Sequence, residues 1–294
     1  MWRIKKILSL IIILIFFSTP THAIITQINY QTFNDMAIYQ EKKCLLNKTY
    51  YAILVGINDY PGVELDLPYS INEITSFKNT LLLGTNWEQS NIKVLTDTNA
   101  TASNIIQKIR WLDEQENEND ISIFYYAGHG GKTNTNEYLI TYDSLLSDVE
   151  LAQELDKLEG KVVVILDSCY SGGFIEELEN RNRVILAACA KNGIAFQDSR
   201  LKSGFFGYFL NLSLEKFTNT AEMTFLFACP LTILYTKWLS DKIGKNLSIR
   251  PRISDKSIAL TRILYRPFFL HRLTKINDAF ESYQKEASNE IWIL

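Results

Sequence analysis

The stretch "VVVILDSCYSGG", Val162–Gly173, decides the fold. Its first five residues are apolar and have the length and β-branched composition of a buried strand. The run ends directly in an acid, a hydroxyl and a thiol, and two glycines then allow the chain to turn. Apolar strands of this kind form parallel sheets covered by helices, and such sheets bind ligands beyond the carboxyl ends of their strands. We therefore expect Asp167 and Cys169 to lie where a ligand binds.

Apolar runs of strand length alternate with amphipathic runs of helical periodicity from Tyr50 onward. The strand-like runs are "YYAILVGI", "NIKVLTD", "ISIFYYAGHG", "KVVVILDS" and "RVILAACA". The helical runs are "SINEITSFKNTLL", "TASNIIQKIRWLDEQ", "DVELAQELDKL" and "GFFGYFLNLSLEKF". This alternation predicts an α/β fold with a mostly parallel central sheet flanked by helices on both faces.

Composition excludes some classes of protein. The 294 residues are 47% hydrophobic, so a sizeable core can form and the chain is not of a disordered class. Proteins that bind a phosphate backbone are commonly basic, whereas the formal net charge here is −3, so we expect no nucleic-acid partner. The sequence does not determine the oligomeric state.

The N-terminus has the layout of an export signal. A basic start, "MWRIKK", precedes the apolar run "ILSLIIILIFF", and "STPTHA" ends in a small residue. The apolar run is shorter than the roughly 20 residues that span a bilayer. We expect residues 1–23 to be a signal peptide and the protein to be exported, periplasmic or extracellular, with no stable membrane span after its removal. An uncleaved anchor is the alternative.

The remaining chain divides into three parts. Residues 24–48 form a lead-in segment, 49–260 form the α/β domain, and 261–294 form a C-terminal appendage of unknown role with helical periodicity. The apolar run "MTFLFACPLTILYTKWL" contains a proline and a lysine, so we interpret it as core rather than as a membrane segment.

One histidine and one cysteine suit nucleophilic catalysis. A cysteine attacks as the thiolate, and a histidine commonly removes its proton. Of the three histidines, only His129, in "AGHGG", ends an apolar strand. Cys169 ends another, 40 residues later. Either residue alone is more often structural, but their matched placement favours a His/Cys pair.

The segments "YYAILVGINDY", "LTDTNATASNIIQKIRWL", "IFYYAGHGG" and "VVVILDSCYSGGF" resemble the caspase–hemoglobinase superfamily of cysteine peptidases, and are most similar to its metacaspase-like branch. The resemblance covers roughly residues 48–255. It implies an endopeptidase that acts on peptides or proteins, with Cys169 as nucleophile and His129 as general acid/base. The backbone N–H groups of Gly130 and Cys169 match the oxyanion hole. No third member of a triad is evident.

The resemblance also implies a pocket for the residue before the scissile bond. Asp167 matches one acid of that pocket, while Glu73 and Ser70, in "LPYSINEI", match the positions where the family commonly has Asp and Cys. Two carboxylates attract a cation, so the expected cleavage follows Arg or Lys. The structural alternatives are a solvated helix face for Glu73 and a backbone-capping role for Asp167.

Some relatives bind calcium after the His-Gly motif. The corresponding segment here offers only Asp143, Asp148 and Glu150, so no metal site is predicted and calcium is only an option. Two further functions stay open. A legumain-like or transamidase-like transpeptidase would use the same pair, and a non-catalytic regulator of the same fold would need neither residue.

Overall fold

The computed structural model describes residues 48–257, 259–265 and 291–294. The chain divides into the units Met1–Leu46 and Asn47–Leu294, and all described residues belong to the second. The predicted signal peptide and residues 24–47 of the predicted lead-in lie outside the described residues.

The main sheet has six strands in the order β11-β8-β7-β3-β1-β2. Strands β1, β2, β3, β7 and β8 are parallel to one another, and β11 is antiparallel to β8 at one edge. The bounds are β1 Tyr50–Gly56, β2 Ile92–Thr96, β3 Ile121–Ala127, β7 Lys161–Asp167, β8 Arg183–Ala187 and β11 Arg252–Asp255. The predicted mostly parallel α/β fold is confirmed.

Six α-helices accompany the sheet in the described part of the chain: α1 Ser70–Leu81, α2 Ala102–Gln115, α3 Asp148–Leu155, α4 Ile175–Leu178, α5 Phe205–Lys216 and α6 Ala221–Ile243. Polar residues begin several of them; the Thr101 side chain, for example, accepts from the backbone N–H of Asn104 at the start of α2. Helix α5 packs against both α1 and α6, whereas α3 packs against α2 and α4. No helix among the described residues is long and apolar enough to cross a membrane.

The core lies around the central strands. Every residue of β1 and β3 is buried, as expected for strands covered on both sides. Strand β2, at the edge, is only partly buried: Ile92 and Leu95 are buried, whereas Val94 is 40% exposed. Burial of the apolar side chains, worth about 25 cal/mol per Å², stabilises this arrangement.

Two small antiparallel sheets lie beside the main one. The first joins β4 Gly130–Lys132, β5 Glu137–Ile140 and β6 Leu145–Ser147. The second has the order β10-β9-β12 and joins β9 Phe196–Asp198, β10 Ser203–Gly204 and β12 Ile291–Ile293. The periodicity of the C-terminal appendage predicts a helix, but residues 291–293 form a strand. The appendage between 266 and 290 lies outside the described residues.

Candidate active site

The two reactive motifs lie side by side. Strands β3 and β7 are neighbours, with Ala127 paired to Asp167, and the N–H of Gly128 donates to the Asp167 carbonyl at 3.3 Å. A Cβ atom added at Gly130 would lie 2.9 Å from Ser168 Oγ and closer still to the Cys169 carbonyl oxygen. Only glycine therefore allows the two backbones to approach this closely.

His129 is held at both its backbone and its ring. The Tyr60 hydroxyl accepts from the His129 N–H at 2.9 Å, and the Tyr126 hydroxyl donates to the His129 carbonyl at 2.8 Å. Nε2 of the ring lies 2.7 Å from the Leu65 carbonyl oxygen. A carbonyl can only accept, so Nε2 carries a proton and Nδ1 of the neutral ring keeps its lone pair.

Burial lowers the pKa of His129, although the Leu65 hydrogen bond opposes the shift. The ring is therefore neutral at pH 7 and can accept a proton. Leu65 is a third member of the site that the sequence does not reveal, because any residue can offer a backbone carbonyl.

The Cys169 thiol is hydrogen-bonded to the backbone of Ala195 rather than to the His129 ring. Ala195 N–H donates to Sγ at 3.4 Å, and Sγ lies 3.8 Å from the Ala195 carbonyl. The hydrogen bonds of the described residues place no bond between this thiol and the His129 ring. The cysteine is 3% exposed, and burial raises its pKa to about 12. In this arrangement the thiol is protonated and unactivated.

Glu73 and Asp167 form a buried carboxyl pair. Glu73 Oε1 accepts from the Tyr125 hydroxyl at 2.8 Å, and Oε2 accepts from the Ser203 hydroxyl at 2.9 Å and the Gly204 N–H at 2.6 Å. Burial raises the pKa of both acids, and a hydrogen bond between them lets them share a proton. At neutral pH the pair carries less than its full charge, because two close, desolvated carboxylates repel each other.

Asp167 keeps one oxygen for another partner. Its Oδ2 accepts from the Gly207 N–H at 2.7 Å. One oxygen of Asp167 therefore has the backbone-capping role that was the structural alternative. Its Oδ1 is buried and has no hydrogen-bond partner among the described residues. Gly204 and Gly207 lie at the start of α5, where the helix dipole stabilises negative charge.

Ser70 lies at the start of α1 and is covered by a residue that the sequence does not single out. Gln197, on β9, donates from Nε2 to Ser70 Oγ at 2.8 Å and accepts from the Tyr69 N–H at 3.1 Å. The predicted pocket residues Ser70, Glu73 and Asp167 are all buried. Arg200, between β9 and β10, binds Asp198 through Nε and Nη2.

The acids after the His-Gly motif do not make a calcium cage. Asp143 accepts from the Ala102 N–H, Asp148 accepts from the Glu137 N–H, and Glu150 forms a capping box with Ser147. Each acid is thus taken up in a separate local contact. In the described ranges no group of three or more His, Cys, Asp or Glu side chains could hold a metal ion.

A model of the caspase domain, from peptidase family C14, matches residues 49–228. The chain belongs to the caspase family. The resemblance seen in the sequence motifs is thereby confirmed.

Several metacaspases are similar in sequence to this caspase-family chain. Metacaspase-4 of Arabidopsis thaliana is 29% identical over 148 residues, which is 44% of this chain and 35% of that protein. Metacaspase-9 of the same plant is 31% identical over 145 residues, or 43% and 44% of the two chains. Metacaspase-1 of Schizosaccharomyces pombe is 26% identical over 147 residues, or 42% and 34%. The matched part spans less than half the length of each relative.

A solved structure shows the same fold. The crystal structure of a Geobacter sulfurreducens protein, a structural genomics target, is 14% identical and superposes with a TM-score of 0.54. The match covers 74% of this chain and 97% of that one.

Proposed function

We propose that this caspase-family chain is an exported cysteine endopeptidase that cleaves after Arg or Lys, with Cys169 and His129 as its catalytic pair. The observation that carries the proposal is the close approach of the Gly130 and Cys169 backbones at the carboxyl ends of β3 and β7. It brings a thiol, an imidazole and two backbone N–H groups to one edge of the sheet. These are the groups that acyl transfer requires.

The reaction begins when the thiol turns away from Ala195 and gives its proton to His129 Nδ1. The thiolate attacks the substrate carbonyl carbon, and the oxyanion that forms is stabilised by the N–H groups of Gly130 and Cys169, each worth about 3 kcal/mol. The C–N bond then breaks, and the imidazolium returns the proton to the leaving amine. A water molecule, deprotonated by the same ring, hydrolyses the thioester and restores the thiol. The Leu65 carbonyl stabilises the imidazolium through Nε2–H.

Specificity rests on the buried carboxyl pair. A guanidinium that reaches Asp167 Oδ1 would find an oxygen without a partner, and its positive charge would favour loss of the shared proton. Both oxygens of Glu73 already accept hydrogen bonds from the protein, so Glu73 acts on the substrate through Asp167. In this proposal Asp167, rather than both carboxylates equally, makes the direct contact with the substrate cation.

The decisive experiment compares matched fluorogenic peptides that end in Arg, Lys, Asn or Asp. We expect Arg and Lys peptides to be cleaved, and Cys169→Ala and His129→Ala each to lose activity by at least about 10³-fold, because the pair acts as a unit. Cys229→Ala, on α6, is the matched control and keeps wild-type kcat/KM. Activity that survives Cys169→Ala in a folded protein refutes the assignment. Asn in the lead would favour the legumain-like alternative, and a chain that stays inactive after deletion of residues 291–294 would favour the regulator.

Export has a separate test. N-terminal sequencing of the mature protein should begin at Ile24, since Ala23 is the small residue expected at the cleavage site. An intact Met1 on membrane-associated material would support the anchor.

A further inference from the structure

The strand β12 lies along the edge of β9, beside the thiol. The two strands are antiparallel, with Trp292 paired to Gln197 and Ile293 to Phe196. The ladder continues one residue further, because the Leu294 N–H donates to the Ala195 carbonyl at 3.0 Å. Ala195 is the same residue whose N–H donates to the Cys169 thiol.

The end of this strand reaches the predicted oxyanion hole. The Cys169 N–H donates to the Leu294 carbonyl oxygen at 3.2 Å. In the proposed reaction that N–H binds the carbonyl oxygen of the residue before the scissile bond. Leu294 therefore has the position of that residue, and it is 2% exposed.

Side-chain contacts hold the strand in this register. The ring of Trp292 packs edge-on against Tyr69, with centroids 5.4 Å apart and planes at 85°. Tyr69 directly precedes Ser70 at the start of α1, and its N–H binds Gln197, the partner of Trp292 in the ladder. Ile293, the next residue along the strand, is 56% exposed.

We infer that the segment Ile291–Leu294 occupies the peptide-binding groove of this same chain as a substrate-like strand and shields Cys169. The inference rests on the proposed function, since it takes β9 and the Cys169 N–H as the groove for substrate. Adding a strand to an exposed sheet edge is a general way to bind an extended peptide. The segment places leucine where the proposed function requires Arg or Lys, so it fills the groove without offering the preferred side chain.

An intramolecular segment has a strong advantage over a free peptide. Because it belongs to the same chain, its effective concentration at the groove is on the order of millimolar or more. A free substrate of similar intrinsic affinity, present at micromolar concentration, would then compete poorly until the strand leaves. The groove therefore accepts extended peptides of the same backbone geometry, and activity depends on displacement of β12.

The rate of Cys169 alkylation by iodoacetamide, followed by peptide mass spectrometry, tests the inference without using peptidase activity. Trp292→Ala removes the packing on Tyr69, and we expect alkylation of Cys169 to become faster by about tenfold or more. Ile293→Ala, on the exposed side of the same strand, is the matched control and should stay within about twofold of the wild type. Circular dichroism melting checks that each variant is folded.

A second arm keeps the test open if Trp292→Ala does not fold. Deletion of residues 291–294 should also accelerate alkylation, and adding the peptide "NEIWIL", residues 289–294, should slow it again. The same peptide with alanine in place of tryptophan should be a weaker protector. Equal alkylation rates in wild type and either folded variant would overturn the inference, even if Arg peptides are cleaved. Faster alkylation without cleavage of any peptide would support groove occupancy while refuting the proposed peptidase function.

Discussion

Gly130→Ala is the sharpest perturbation of the site. The added Cβ would lie 2.9 Å from Ser168 Oγ and 3.0 Å from Ser168 Cβ, and closer than either to the Cys169 carbonyl oxygen. The obstacle is backbone on a neighbouring strand end, so it cannot rotate away as a side chain would. The loops that carry His129 and Cys169 must separate by roughly 1 Å, and a misplacement of that size costs about 10²-fold in rate.

Gly131→Ala is the matched control for this prediction. A Cβ at Gly131 would lie 3.7 Å from Ile140, which is ordinary van der Waals contact. We expect kcat/KM for an Arg peptide to fall by about 10²-fold or more in Gly130→Ala and by less than about threefold in Gly131→Ala. Melting curves of both variants show whether a loss of activity comes from unfolding or from misplacement of His129 and Cys169 in a folded protein. If Gly130→Ala is folded and cleaves at the wild-type rate, the close approach of the Gly130 and Cys169 backbones does not position the catalytic groups.

Three further predictions use the buried charges and the thiol. Burial raises the pKa of Asp167, so the folded state holds the carboxyl proton more tightly than the unfolded state, and stability is lost as pH rises above the usual carboxyl range. Asp167→Asn should therefore have a higher melting temperature than wild type at pH 8, and the difference should narrow towards pH 4. The same variant should lose cleavage of Arg peptides. Burial raises the pKa of Cys169 to about 12, so alkylation of the wild-type thiol should rise about tenfold per pH unit up to pH 10, and a plateau near pH 8 would contradict this. Asp198→Ala leaves Arg200 buried without its partner and should lower the free energy of unfolding, measured by chemical denaturation, by about 3–5 kcal/mol. Glu176→Ala breaks an exposed pair with Lys191 and should leave the denaturation midpoint nearly unchanged.

The fold and the place of the reactive groups could be predicted because they depend on local pattern. A run such as that ending at Asp167 is apolar enough to be a buried strand, and strands joined by helices must run parallel. Parallel strands share a carboxyl edge, so the motifs that contain His129 and Cys169 are expected at the same edge of the sheet. This argument needs only the order of apolar runs and the residues that follow them.

The rest of the site depends on contacts that leave no mark in the sequence. Leu65 acts through its carbonyl, which every residue has. Gln197 lies 127 positions from Ser70, and its role follows only from the pairing of β9. Strand β12 was missed for a related reason. Three residues are too few to show a periodicity of two, and helical spacing in the preceding sequence masks them.

The Cys169 thiol and strand β12 share a contact with Ala195. Ala195 donates its N–H to Cys169 Sγ, and its carbonyl accepts from Leu294 N–H. While β12 is bound, the backbone N–H of Ala195 therefore contacts the nucleophile, and its carbonyl oxygen contacts the bound strand. A substrate strand that replaces β12 would need the same Ala195 carbonyl, so substrate and β12 exclude each other from the groove. Since the Cys169 N–H is also bound to Leu294, this oxyanion donor becomes free only when β12 leaves. The low reactivity expected of the thiol follows from its burial, since the Ala195 hydrogen bond by itself lowers the pKa of Cys169. Because β12 lies beside the thiol, the occupied groove contributes to that burial.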